Sequence, residues 1–326
     1  MANSKQIKQT ISKYGIVFAL IGMIIIISII RPQFLSYGNI LNVMTQSSIY
    51  GIMALGVTLI IIAKGIDLSL GSMVAFSGLV LASLSQVGGA AGKMYPNLPE
   101  LPLVLAILAT LAVGAFMGSI SGFFVAKTHI PAFIATLGMT TIVRGAALIY
   151  SGGKPITNLK PSLLALGGNI GIIPVPVIIY AVMILLTWVL LNYTRFGSDA
   201  FAIGGNIHAA EVSGVNIAKA QILVFAFGGV MCAVAATVFA GRVQSVHPGA
   251  AVGYELTAIA ATTIGGTSQS GGIGTVWGAV VGALVLGVLR NGMTLMGIDA
   301  YWQQIAEGAI IIGAVVIDMR KHAGKK

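Results

Sequence analysis

Long apolar stretches recur along the chain, separated by short clusters of glycine, proline and charge. Ten of them predict helices, at about 14–30, 41–62, 68–86, 103–126, 132–150, 173–191, 221–240, 254–266, 276–290 and 303–318. A helix needs about 20 mostly apolar residues to cross the hydrocarbon of a bilayer. Most of the ten approach that length. The third, eighth and ninth are glycine-rich, and two are short for a full crossing. The expected fold is all-α: a polytopic transmembrane helical bundle of about ten helices, one domain over residues 1–326. Basic tails at 1–13 and 319–326 would flank a bundle at 14–318. The first apolar run has no small-x-small cleavage site and leads into Arg31-Pro32-Gln33-Phe34. It therefore reads as a retained helix and not as a signal peptide.

Composition sharpens this picture. Of the 326 residues 57% are hydrophobic and 8% charged, with a mean hydropathy of +0.97. Soluble domains carry about 25% charged residues, so the solvent of this surface is lipid. The 43 glycines fit closely approaching membrane helices. The net charge of +10 sits in tails and short loops and does not imply nucleic acid. Lys5, Lys8, Lys13, Arg320, Lys321, Lys325 and Lys326 make both tails basic, which predicts cytoplasmic N- and C-termini and an even number of crossings. The loops with Arg31, Lys93, Lys154, Lys160 and Arg242 then face out, and those with Lys64, Lys127, Arg195 and Lys219 face in. The single cysteine, Cys232, lies in an apolar run and reads as a buried structural thiol.

Three loops are long. Those at 87–102 and 151–172 are rich in proline and glycine and belong outside; that at about 192–220 belongs in the cytoplasm. There is also a weak internal repeat. Gly65-Ile66-Asp67-Leu68-Ser69 is echoed by Gly253-Tyr254-Glu255-Leu256-Thr257. Val113-Gly114-Ala115 is echoed by Val281-Gly282-Ala283, and Ile130-Pro131-Ala132-Phe133 by Ile298-Asp299-Ala300-Tyr301. In the expected topology each motif lies on opposite sides of the membrane in the two halves, the mark of an inverted repeat.

Candidate chemistry is sparse. In the 192–220 segment, Ala209 to Val212 predicts a short helix ended by Gly214. Such a helix suits docking into another protein, although an ordinary solvated loop reads equally well. Asp67 and Glu255 each begin a predicted helix. They read as caps favoured by the helix dipole, or as gating groups that touch cargo hydroxyls. Both, with Glu307, are expected near the membrane ends. The Gly265–Gly272 run is a tight turn, because no G-x-x-x-x-G-K-[ST] phosphate loop exists in the chain. Its Thr267, Ser268 and Gln269 are further candidate contacts for a partner. Thr45, Gln46, Ser47, Thr58, Ser72, Ser121, Thr136, Thr140 and Asn291 lie within predicted helices. They serve helix–helix hydrogen bonds or a polar, uncharged cargo, on which Phe133 or Trp277 could stack. His129, His208, His247 and His322 have no metal-site spacing.

The 195–217 segment resembles the coupling loop of ATP-driven (ABC) importer permeases. More closely, the chain is similar to the ribose-type monosaccharide permease family, whose motifs stand at Gly65–Ser72, Gly253–Ala261 and Ile264–Ser268 with Gly271–Gly274. The likeness runs from about Pro32 to Asp318. Thr262-Thr263 and Gln269-Ser270 depart from the family pattern and leave the cargo open. The resemblance implies a multi-pass permease of the bacterial inner membrane, working as two copies. Partner ATPase subunits would bind ATP and magnesium and grip Gly204, Gly205, Asn206, Ala209, Ala210, Glu211 and Gly214. A periplasmic sugar-binding protein would dock outside. Asp67, Ser69, Phe133, Glu255, Thr257 and Asn291 become the candidate translocation and gating residues. The chain itself would carry no cofactor and perform no covalent chemistry. The cargo would be a ribose-, allose- or xylose-like sugar, with nucleosides and furanone-type signals as alternatives.

Two other classes fit less well. An ion-coupled secondary transporter needs acids at the midplane, and an integral-membrane enzyme needs a nucleophile–base pair or paired-acid motif; neither is evident in the sequence. The topology makes one firm prediction: a reporter fused after Lys326 is active in the cytoplasm, and periplasmic activity breaks the even-crossing arrangement.

Overall fold

A computed structural model describes the backbone of residues 2–128 and 130–323, and the side chains of 15–128, 130–316 and 318–320. The side chains of Lys5, Lys8, Lys13, Lys321, Lys325, Lys326, His129 and His322 lie outside that description. Among the described residues the chain forms thirteen α-helices: α1 (Ala2–Ile30), α2 (Tyr37–Ile62), α3 (Leu70–Leu84), α4 (Leu103–Lys127), α5 (Ala132–Ser151), α6 (Pro161–Leu164), α7 (Val175–Tyr193), α8 (Arg195–Gly205), α9 (Ile207–Val212), α10 (Ile217–Val243), α11 (Tyr254–Ile264), α12 (Val276–Leu295) and α13 (Ala300–Ala323). Strands β1 (Asn169–Ile170) and β2 (Ile173–Pro174) make a small antiparallel hairpin before α7.

Each apolar stretch read as helical coincides with one of the longer helices. Three further helices, α6, α8 and α9, occupy segments expected as loops, although α9 contains the predicted Ala209–Val212 turn. The segment 1–13, expected as a tail, continues α1 from Ala2. Among the described residues seven helices are long and apolar enough to cross a membrane: α2, α4, α5, α7, α10, α12 and α13. The apolar part of α1, Gly15–Ile30, and α3 are shorter.

Burial separates the helices by role. The apolar window of α2 is 89% buried and that of α10 is 61% buried, against 28% for α4, 22% for α5 and 6% for α13. The outer helices turn apolar faces outward, as a lipid-solvated surface requires. α10 packs on α2, α3 and α4, while α2 packs on α7, α10, α11 and α12. The order long–short–long–long occurs twice, as α2–α3–α4–α5 and as α10–α11–α12–α13. The α4–α10 contact depends on small residues. A Cβ on Gly229 would run into the carbonyl of Gly114, and one on Gly114 into the carbonyl of Gly229. Close backbone approach of this kind gives membrane helices dispersion contacts that lipid cannot supply.

α3 has 15 residues and α11 has 11, so they are about 22 Å and 16 Å long, short of a ~30 Å hydrocarbon core. Both begin inside the bundle. The Tyr254 ring at the start of α11 stacks edge-on against Tyr50, with centroids 4.7 Å apart, and Tyr50 is half-way along α2. The irregular backbone leading into each short helix has carbonyls without a helical partner, and α5 donates to four of them. Thr136 Oγ1 donates to Ile66 O (3.1 Å) and Thr140 Oγ1 to Leu68 O (2.8 Å). Arg144 Nη1 donates to Pro248 O (2.5 Å) and Ala250 O (2.9 Å).

At the far ends of α3 and α10, three loop segments are stitched together. Lys160 N donates to Ser85 O (2.8 Å) and Val87 N to Asn158 O (2.9 Å), while Ile156 and Val246 exchange backbone bonds of 2.9 and 3.0 Å. Lys160 Nζ lies 3.3 Å from Glu100 Oε2 and donates to Leu101 O. The Gly88 amide, with Lys160, holds the Glu100 carboxyl below the usual carboxylate range.

Gly229→Val is expected to overpack the α4–α10 contact and destabilise the fold by at least about 1–3 kcal/mol. Gly138→Ala, with nothing within 4 Å of its new Cβ, is expected to be neutral. Thermal unfolding of the two variants in detergent checks this.

Candidate functional site

The α8–α9 unit is built by local capping. Asn206 Oδ1 accepts from His208 N (3.0 Å) and Ala209 N (3.1 Å), so the break between the helices is also the N-cap of α9. α9 closes with Val215 N on Ala210 O (3.0 Å) and Gly214 in the left-handed region at φ +86°. This is the glycine stop predicted from sequence. Asn216 then caps α10 by accepting from Lys219 N (3.0 Å).

The seven candidate coupling residues divide by exposure. Gly205, Asn206, Ala209, Glu211 and Gly214 are exposed. Gly204 and Ala210 are buried against the rest of the chain. A Cβ on Gly204 would run into Ile62 O and the Gly272 amide, themselves hydrogen-bonded at 2.9 Å. Ala210 packs with Ile203 and Ala220. Gly204 and Ala210 thus seat the helix pair on the end of α2 and on α10. Val212, not singled out from sequence, is 90% exposed at the tip of α9.

The Gly265–Gly272 run is the expected turn between α11 and α12. Thr267 and Ser268 are fully buried and unavailable to a partner. Ser268 Oγ (3.2 Å) and Gln269 N (3.0 Å) both donate to Asp318 Oδ2, tying the turn to α13.

The candidate gating residues fall into two clusters and two separate sites. Asp67 is 2% exposed and lies before α3, not in its first turn. Its Oδ1 accepts from Ser69 N (2.8 Å) and Ser69 Oγ (2.5 Å), and Ser69 Oγ lies 3.4 Å from Ser121 Oγ. Glu255 is in the first turn of α11, where Oε1 accepts from Gly253 N (3.3 Å). Asp67 Oδ2 and Glu255 Oε2 are buried without a hydrogen-bond partner among the described residues. A Cβ on Gly71 would strike Glu255 Oε2, so α3 and α11 meet at these acids.

The second cluster surrounds Thr257. Its Oγ1 donates to Glu307 Oε1 (3.1 Å) and accepts from Arg290 Nη2 (3.0 Å), while Arg290 and Glu307 form an ion pair at 2.5 Å. The guanidinium carbon lies 4.7 Å from the Tyr50 ring centroid. Away from both clusters, Asn291 pairs reciprocally with Asn39 at 2.8 and 2.9 Å. Phe133 is exposed on the first turn of α5, and Trp277 is exposed on the first turn of α12.

Asp67, Glu255 and Glu307, expected near the ends of the bundle, instead gather around its middle: Tyr254 and Arg290 both touch Tyr50, half-way along α2, Glu307 bonds Arg290 and Thr257, and Asp67 lies near Glu255 across Gly71. Sequence reading also overlooked Arg144, Arg290, Tyr50 and Tyr254. An arginine inside an apolar run is the signal that finds the first two, since a charge there is costly and needs a partner.

A lipid-faced bundle with two short helices meeting at buried polar groups, and an exposed helix pair at one end, has the build of a membrane transport permease. A family model described as branched-chain amino acid transport system / permease component matches residues 39–315, and the chain belongs to that permease family. It is 38% identical to the ribose import permease protein RbsC of Escherichia coli K12, over 93% of this chain and 92% of the relative. It is 39% identical to the galactose/methyl galactoside import permease protein MglC of Salmonella typhimurium, over 99% of both chains. With the ribose import permease protein RbsC of Bacillus subtilis the identity is 37%, over 95% of this chain and 94% of the relative. No solved structure matches the chain. The chain is a multi-pass inner-membrane protein.

Removing one member of the buried pair strands the other. Arg290→Ala and Glu307→Ala are each expected to cost roughly 3–5 kcal/mol, and the double variant much less than their sum. Unfolding of the three variants measures this coupling.

Proposed function

We propose that this chain is the membrane-spanning subunit of an ABC importer for a monosaccharide. The observation that carries this is the 37–39% identity, over nearly the whole length, to permeases named for ribose and galactose import. Import is driven by partner ATPase subunits, which hold ATP and magnesium. A periplasmic sugar-binding protein delivers the cargo, and a second copy of the permease completes the pathway. This chain performs no covalent chemistry.

The drive enters through α9. Gly205, Asn206, Ala209, Glu211 and Gly214, with Val212 at the tip, form the surface that the ATPase grips. Gly204 and Ala210 transmit the displacement from beneath. Exposure of Val212, an apolar side chain on a capped helix, supports this: such a residue gains by being covered. The N- and C-termini and the α8–α9 unit lie in the cytoplasm, and the stitched loops lie outside.

The bundle is an inverted repeat, with α2–α5 related to α10–α13. In support, contacts match under that exchange: α4 on α10 corresponds to α12 on α2, and α3 on α5 to α11 on α13. The Val-Gly-Ala echoes fall on α4 and α12, and the second pair of echoes at the starts of α5 and α13. Asp67, Ser69, Glu255 and Thr257 gate the pathway where the two short helices meet; Asn291 holds α12 to α2, and Phe133 lies at the pathway rim. Repeats of this kind tilt against each other around a fixed central site.

The test uses the permease reconstituted with its ATPase and binding protein. Glu211→Lys and Gly214→Leu are each expected to lower sugar imported per ATP by roughly tenfold, equivalent to about 1.4 kcal/mol of lost coupling, while the variants still insert. Unchanged coupling counts against the docking surface. Uphill import in liposomes without any nucleotide-hydrolysing partner defeats the whole reading.

A further inference from the structure

Beside the Thr257 cluster is a cavity of about 540 Å³, between α2, α11, α12 and α13. Pockets for small ligands span about 300–1,000 Å³. Its polar lining is Gln46, Tyr254, Thr257, Arg290, Gln304 and Glu307, with Gln303, whose amide nitrogen is already held by Thr294 Oγ1 and Ile298 O. Thr257 and Glu307 are buried at its floor, Arg290 and Gln46 are half-buried, and Gln304 is exposed at its mouth. Val252, Leu256 and Ile311 supply an apolar wall.

The chemistry of this lining is selective. Arg290 and Glu307 neutralise each other, so a lone cation or anion gains little there. Arg290 spends Nη2 on Thr257 and Glu307, and a guanidinium has five N–H donors in all. The amide side chains of Gln46 and Gln304 make no hydrogen bond among the described residues and offer both donor and acceptor. Together these present closely spaced donors and acceptors of no net charge, beside the ring of Tyr254. That arrangement matches a neutral polyhydroxylated solute. A structural role alone does not account for it: a buried ion pair adds little stability compared with apolar packing, and ionisable groups inside a membrane segment mark substrate pathways.

We propose that this cavity is a solute-binding station for a neutral monosaccharide, an aldopentose or aldohexose, with Arg290, Glu307 and Thr257 as its floor and Gln46 and Gln304 as its selecting amides. It deepens the sugar-permease reading and rests on it. In the topology given above it lies in the outer half of the bundle, where cargo released from a binding protein enters.

The only native thiol, Cys232, is fully buried, so an introduced cysteine reports alone. Ala300→Cys, and separately Val252→Cys on the exposed edge of the same cavity, are labelled with a membrane-impermeant maleimide on the purified full-length permease. The measurement is made in detergent and in phospholipid nanodiscs. Millimolar ribose, xylose or galactose is expected to slow labelling by about fivefold, and Gln46→Leu to raise the sugar concentration needed for that protection by the roughly 2- to 10-fold that one hydrogen bond represents. Glycine betaine, a zwitterion, is expected to protect neither position. Labelling rates unaffected by every sugar at both positions, or slowed equally by betaine, overturn the proposal. So does labelling that is blocked in nanodiscs with or without sugar, which identifies a lipid headgroup as the occupant. Protection needs no ATPase or nucleotide. Import without protection therefore removes this site and leaves the transport reading intact, and protection without ATP-driven import does the reverse.

Discussion

Peptide groups cannot be left unpaired in hydrocarbon, and most of this architecture follows from where the chain breaks that rule. Two helices begin part-way through the bundle, so the strands of backbone that lead into them carry carbonyls with no helical partner. Such segments survive only where protein surrounds them. α2 and α10 provide the surround and, with α12, are the most buried spans. α5 provides the partners, through Thr136, Thr140 and Arg144. The glycine pair Gly114 and Gly229 then brings α4 close enough to α10 to close the wall.

Breaking the helices puts polar side chains where an unbroken helix would put only apolar ones. Asp67 and Glu255 meet across Gly71, and Thr257 becomes the hub of the Arg290–Glu307 pair. The same central helix that shields these groups also reaches the α8–α9 unit. The last carbonyl of α2, at Ile62, abuts Gly204, while its midpoint residue Tyr50 touches both Tyr254 and Arg290. The exposed helix pair and the buried polar groups therefore sit at two points of one stiff element, some 12 residues apart.

The sequence reveals the helices because hydrocarbon solvation leaves an unmistakable pattern: long apolar runs with charge at their ends. The stop at Gly214 is legible for a local reason, since its turn depends on neighbours in the chain. So is the shortness of the eighth run, whereas the ninth, read as 276–290, continues to Leu295 as a 20-residue span. What is not legible is depth. Nothing in the run 254–266 says that it starts beside Tyr50, because that follows from how the preceding loop dips into the bundle. The same blindness hides the partners of Arg144, 104 and 106 residues away, and makes Thr267 and Ser268 look like surface residues. Burial of Gly204 and Ala210 is likewise tertiary: their small size fits docking against a partner and docking against α2 or α10 equally well.

The backbone stitching of 85–87, 156–160 and 246 bears on how such a bundle moves. Those bonds fasten the ends of α3 and α10 to the segment that follows α5, and the Lys160–Glu100 contact adds the start of α4. Four helix ends thereby share one hard rim. A cleft cannot open among them without tearing several peptide bonds' worth of pairing at once. Any widening on that side must fall along the seam that the rim leaves unsewn, between it and the α11–α13 group.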